Sequence, residues 1–335
     1  MPLPFIIAGA VLAAGYGVKK GVDAKDDFDT ADKYNRWARE TYDEAKERLE
    51  KEKSYTNSKL ESLGKLKVSI YDKNSGSLPN FVTLFEKIKN VDFKNEVDLN
   101  FKYNINKEDM LNIKDSVLKM QEVLGGTAAA LGSGALAGFG ALGGVGMLAS
   151  ASTGTAIASL SGVAATNATL AWLGGGSLAA GGFGMAGGMA VLGGVIAGPV
   201  LAVGGMMMAS KAEEAKHTAS ANYDKAKIAA EQMDSACAVL DGIYWRADEM
   251  LNVLATLNEI FVNNIEKLAV VLDRTVYYNN FSRDEKKLLA ITASTAATVK
   301  NVCDTPIIDK DGKVYEKSKE VLDEAKKITQ EIQKV

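Results

Sequence analysis

From Val123 to Ser210 the chain carries no formally charged residue, an interval of 88 positions bounded by Glu122 and Lys211. A water-facing helix normally presents charged side chains, so an interval this long without one must be shielded by protein or by lipid. It contains 24 glycines and 21 alanines, three quarters of the chain's 32 glycines in about a quarter of its length. All 81 Lys, Arg, Asp and Glu residues lie outside it. About 20 helical residues cross a hydrocarbon layer of about 30 Å, so the interval admits more than one crossing. Its most apolar parts are Val123–Ala149 and Leu178–Ala209. Between them, Ser150–Thr169 is rich in Ser and Thr, and Trp172 precedes Gly174-Gly-Gly-Ser177. The pattern predicts two main helices, with a middle that is a loop, a re-entrant piece or a third helix.

Lipid gives helices no hydrophobic drive to associate, so small residues that permit close backbone approach must supply it. Such residues recur four apart in Ala130, Gly134 and Gly138, in Gly176, Ala180, Gly184 and Gly188, and in Ala186, Ala190, Gly194, Gly198 and Ala202. The apolar start of the chain adds Ala13, Gly17 and Gly21. Gly17, Gly134, Gly138, Trp172, Gly184, Gly188, Gly194 and Gly198 are the candidate membrane and helix-packing residues. With half the interval Gly or Ala, such rows also arise by chance. Gly weakens a helix by about 0.8–1 kcal/mol relative to Ala, which suits a segment that is stored in a fold and inserts on demand.

The flanks read as amphipathic helix. From Lys19 to about Ile70, Ala24, Phe28, Ala31, Ala38, Tyr42, Ala45 and Leu49 alternate in steps of three and four, with Asn35 in one slot. The seam weakens over Tyr55–Ser58 and resumes at Leu60, Leu63, Leu66 and Ile70. Asp72–Pro79 is a turn. Phe81, Leu84, Phe85 and Ile88 form the next apolar face, and Val97–Tyr103 alternates as a short strand or irregular chain. Asn106 caps a helix whose core face is Met110, Ile113, Val117, Met120 and Leu124. After the uncharged interval, a seam from Ala219 through Tyr223, Ala226, Ala230, Met233, Cys237, Leu240, Tyr244, Ala247, Leu251, Leu254, Asn258, Phe261 and Ile265 to Leu268 predicts a helix over about 209–277, about 100 Å long. Ser282 with Glu285 opens a helix ending before Pro306, Asp311-Gly312 turns the chain, and a last helix carries Val321, Leu322, Ala325, Ile328 and Ile332.

These lengths predict an all-α fold: an elongated antiparallel helical bundle or coiled coil with a Gly/Ala-rich apolar helical hairpin at one end. The expected divisions are an apolar N-terminal segment 1–18, a first bundle part 19–122, the insertion hairpin 123–210, a long coiled-coil helix with its return helix 211–303, and a C-terminal turn and helix 304–335. Val18, Glu122 and Lys211 then meet at one end. Met1–Val18 reads as a retained membrane segment, a buried core helix or a cleaved signal, though a basic leader region is missing. Lys19, Lys20, Lys25, Lys114, Lys119, Lys211 and Lys216 beside the apolar ends place the bundle in the cytoplasm if the spans are in a membrane.

Other chemistry finds little support. Gly182-Phe-Gly184-Met-Ala-Gly187 matches a dinucleotide fingerprint in spacing, but no strand precedes it and no acidic residue follows before Lys211. Asp309-Lys-Asp311-Gly312 lacks the carboxylates a calcium loop needs at its first and last positions. His217 is the one histidine, too few for a metal cluster or a catalytic dyad. Cys237 on the seam reads as core, Cys303 has no activating partner, and two cysteines make no disulfide framework. Net charge of −3 gives no basic footprint for nucleic acid. No enzyme, cofactor or metal is expected.

Ala168-Thr-Leu-Ala-Trp-Leu-Gly-Gly-Gly-Ser177, followed by Ala179-Ala-Gly-Gly and Met185-Ala-Gly-Gly, resembles a stretch recurring in uncharacterised bacterial glycine-zipper helical proteins. That resemblance implies no activity and carries no site residues. The plan of long helices interrupted by an apolar Gly/Ala-rich hairpin is similar in architecture to the α-helical pore-forming toxins of the cytolysin A type, without a diagnostic motif. It implies a membrane-inserting protein, oligomeric and pore-forming, with the lipid bilayer and further copies of the chain as partners. The alternatives are a cytoplasm-facing membrane scaffold that recruits a protein through its heptad helices, and a soluble bundle with a dry Gly/Ala core. Membrane association is expected, with secretion as a toxin the less favoured reading.

Overall fold

The computed structural model describes residues 18–91, 107–124, 136–141, 215–309 and 313–334. The described chain is all-α. Its helices are α1 (Val18–Tyr71), α2 (Ser77–Lys87), α3 (Lys107–Leu124), α4 (Ala215–Arg274), α5 (Arg283–Asp304) and α6 (Lys317–Ile332), with a 3₁₀ turn at Tyr278–Asn280. Residues 136–141 are helical as well. Among the described residues the only β-pairings are isolated bridges, Lys89 with Tyr277 and Ile308 with Val314. Among these residues no helix is long and apolar enough to cross a membrane. The N-terminal segment, the alternating 97–103, Asn106, most of the uncharged interval and Asp311-Gly312 lie outside the described residues.

Local chemistry sets the boundaries. Asp72 stops α1: its carboxylate accepts from the backbone N–H groups of Asn74 and Ser75 and from the Ser75 hydroxyl. These bonds, the Ser75 hydroxyl's first, hold the Asp72 carboxyl below its ordinary range. Pro79 falls in the first turn of α2, where its missing N–H costs nothing. Ser282 and Glu285 form the expected capping box of α5, and Arg274 pairs with Glu285. Thr305, just before Pro306, caps the other end of α5.

Two compact units divide both long helices, with boundaries at Glu47/Arg48 on α1 and Gln232/Met233 on α4. The sequence-based divisions put no boundary inside either helix. In the first unit α1 buries Ala31, Ala38 and Ala45, and α4 buries Ala219, Ala226, Ala229 and Ala230. Tyr34, Trp37 and Tyr223 form an aromatic trio there, with ring centroids 5.7–6.0 Å apart.

In the second unit α1 and α4 run in the same direction. Going up both helices, Arg48 pairs with Asp234 at 3.0 Å, the Thr56 hydroxyl donates to the Leu240 carbonyl at 3.2 Å, and Lys59 pairs with Asp248 at 2.7 Å. Thr56 is buried where the apolar seam of α1 lapses, so the packing continues there through a polar side chain that finds a partner. Beyond this, α3 packs on α2 and α5, and α6 packs on α5. Met110, Ile113, Val117 and Met120 are the buried face of α3.

The buried stripe of α4 is wider than a heptad seam. Ala226, Met233, Leu240, Ala247, Leu254, Phe261 and Leu268 are buried as the spacing predicts. Their partners in depth are Ala229, Ala236, Ile243, Met250, Leu257 and Val271, whereas Tyr244, Leu251 and Asn258 are half-buried. Cys237, expected in the core, is also half-buried. In this unit α4 has neighbours on more than one side: α1 through Thr56 and Lys59, and α6 through the Lys326–Glu249 pair. A helix with neighbours on two sides buries a broader stripe than a two-helix seam.

Candidate functional site

Beyond Val123 and Leu124, which end α3, the described part of the uncharged interval is residues 136–141, and every one of these six is buried. Leu136, Ala137, Phe139 and Ala141 join the core of the second unit, Phe139 at 1% exposure. This segment lies backbone on backbone against α1. A Cβ on Gly64 would fall 1.8 Å from the Leu136 carbonyl oxygen, and a Cβ on Gly140 would fall 2.0 Å from the Leu60 carbonyl oxygen. The contact is reciprocal: each glycine receives the carbonyl from four residues before the other glycine. Neither position has room for any side chain, since real Cβ atoms do not approach within 3.0 Å of such groups.

Polar groups of the segment are held from outside it. The Lys67 Nζ donates to the Gly140 carbonyl at 3.3 Å and to the Thr305 carbonyl at 3.4 Å. The Ala141 carbonyl accepts from the Ile307 N–H at 2.6 Å and the Ile308 N–H at 3.4 Å. Thr305 is the C-cap of α5, so Lys67 also places its cation at that helix's negative end. One ammonium therefore ties α1, the end of α5 and the uncharged segment together.

Lys67 has no exposed surface. Burial brings its amine down to about 8, partly offset by the negative charge of Asp304 and the neighbouring Cys303 thiol. Asp304 closes the other side of this knot: it accepts from the Tyr71 hydroxyl at 3.1 Å and pairs with Lys300 at 2.7 Å. Burial pushes the Tyr71 hydroxyl well above its ordinary value, with Cys303 and Asp304 adding to it. Burial pushes the Cys303 thiol up strongly against the pull of Lys67, which makes it a poor nucleophile. The described residues hold no group of three metal-ligating side chains. The arrangement suits mechanical fastening: a buried cation, two carbonyl acceptors and a glycine-on-glycine contact.

Of the candidate packing residues, Gly138 lies within 136–141 and is buried. Gly17, Gly134, Trp172, Gly184, Gly188, Gly194 and Gly198 lie outside the described residues. Among the described residues, the backbone-on-backbone contact of the interval runs through Gly140 and Gly64, which the four-residue rows do not contain. Lys67 escapes sequence reasoning because a lysine reads as solvated. The spacing did hold a signal. The steps 60, 63, 67, 70 continue the seam of α1, and Leu66, the residue the apolar reading prefers, is only partly buried. Comparison of the chain with protein-family models, with curated proteins and with solved structures gives no match.

Proposed function

We propose that this chain is an α-helical membrane-inserting protein whose uncharged interval 123–210 is the inserting portion, and that copies assemble to permeabilise the bilayer. The observation that carries the reading is the interval itself: 88 residues without a charge, in a chain whose 81 charged residues all lie in the flanking sequence. Residues 136–141, packed on α1 through Gly64 and Gly140, add a starting point for insertion. An apolar segment stored against protein is available to lipid only after that packing is undone, as conditional insertion requires. The charged amphipathic helices form the water-facing body, and pairing between copies of those helices is the route to an oligomer.

The same packing favours a second reading, in which the Gly/Ala interval is a dry protein core and no membrane is involved. A third, a scaffold that binds a membrane and recruits a partner, shares the insertion and omits the leak. Flotation with liposomes and release of an entrapped dye separate the three. Insertion with permeabilisation predicts co-flotation and dye release. A scaffold predicts co-flotation alone. Absence of both, across acidic and neutral pH and across neutral and anionic lipids, would sink the proposal in favour of the dry core.

A further inference from the structure

We propose that Lys67 is a latch that keeps residues 136–141 seated in protein and so restrains release of the uncharged interval toward lipid. The inference rests on the membrane-inserting reading for its consequence, but not for its mechanism, which concerns described residues alone. The Lys67 ammonium bonds both the segment, at Gly140, and the end of α5, at Thr305, beside the bonds from the Ile307 and Ile308 N–H groups to Ala141. The glycine-on-glycine contact supplies shape without directionality. The ammonium supplies a directed bond to a carbonyl that is costly to leave unpaired in the core.

Burial of a lysine is unfavourable, and a hydrophobic side chain of similar volume often stabilises a fold more. Its use here fits a contact selected to be breakable. The titratable groups that act on Lys67 are Cys303 and Asp304 from α5, and Asp304 is itself bonded by Tyr71 of α1 and Lys300 of α5. The described segment contributes no titratable group of its own, so its hold on Lys67 is through carbonyl oxygen. Leu136, Ala137, Phe139 and Ala141 share a core with α4, so the latch predicts that opening this knot frees Gly140 and Ala141 from α1 and from Ile307–Ile308 before α4 loosens.

Hydrogen exchange on the full chain at pH 7.5, without lipid, tests the latch. In Lys67→Met, amides of 138–141 and of Ile307 and Ile308 are expected to exchange at least tenfold faster than in wild type, with 254–268 of α4 unchanged. Liposome flotation of the same variant is then expected to exceed that of wild type. Unchanged exchange at 138–141 would overturn the latch. Loss of protection in α4 as well, both in this variant and in Lys67→Gln, which keeps an amide donor, would make Lys67 a determinant of the whole fold and also overturn it. Local opening without a gain in flotation, where the wild type floats, would overturn the restraint on release. Local opening with neither protein floating would support the lock and count against the membrane reading, so the two failures are distinguishable.

Discussion

At the scale of single residues, proton binding gives the clearest quantitative consequence. An amine held at about 8 when folded, against 10.5 in the unfolded chain, binds fewer protons folded than unfolded between those values. Lys67 therefore opposes folding most fully below pH 8, and that opposition is relieved as pH rises. Cys303 acts in the other sense. Its buried thiol stays protonated where an ordinary thiol ionises near 9.0, so its contribution is lost as pH rises beyond that. Tyr71 joins it above its ordinary value of 10.0. The midpoint of urea unfolding is thus expected to rise from pH 7 to about 9 and then fall. Lys67→Met should abolish the rise, and Cys303→Ala should delay the fall; a wild-type midpoint flat from pH 7 to 9 would contradict the burial of Lys67. Gly64→Ala or Gly140→Ala drives a methyl into backbone, with an expected loss of about 3 kcal/mol in the same urea measurement.

At the scale of elements, α4 offers a test of its packing register. Leu257 is fully buried and Leu251 only partly so. Leu257→Ala is expected to cost about 3 kcal/mol and Leu251→Ala about 1 kcal/mol, measured as urea unfolding free energies. Equal costs would restore a strict heptad seam. Ser282→Ala, which removes the cap from α5, should cost about 1 kcal/mol. The helices themselves are legible in the sequence because periodicity, capping and turn chemistry agree: α1 covers Val18–Tyr71 where the spacing predicts 19 to about 70, and the Ser282–Glu285 box is present. Which residues turn inward is less legible. A seam spacing describes one partner, whereas α4 meets α1 on one side and α6 on another. Polarity also misleads at Thr56 and Lys67, which enter the core because a carbonyl waits for each.

At the scale of the whole molecule, the account turns on where the uncharged interval resides. Gly/Ala composition is compatible with lipid and with a dry protein core, because both reward close backbone approach. The Gly64–Gly140 contact belongs to the second environment, and the proposed insertion moves the segment from there to the first. The chain has three tryptophans, Trp37, Trp172 and Trp245, of which Trp172 alone lies in the interval. Replacing Trp37 and Trp245 by Phe leaves a single reporter. The most direct measurement is quenching of Trp172 fluorescence by lipids brominated along their acyl chains, in liposomes of neutral and anionic composition. Membrane insertion predicts a blue-shifted emission, strongly quenched by the brominated chains. Emission indifferent to brominated lipid under every condition would contradict insertion and place the interval in protein.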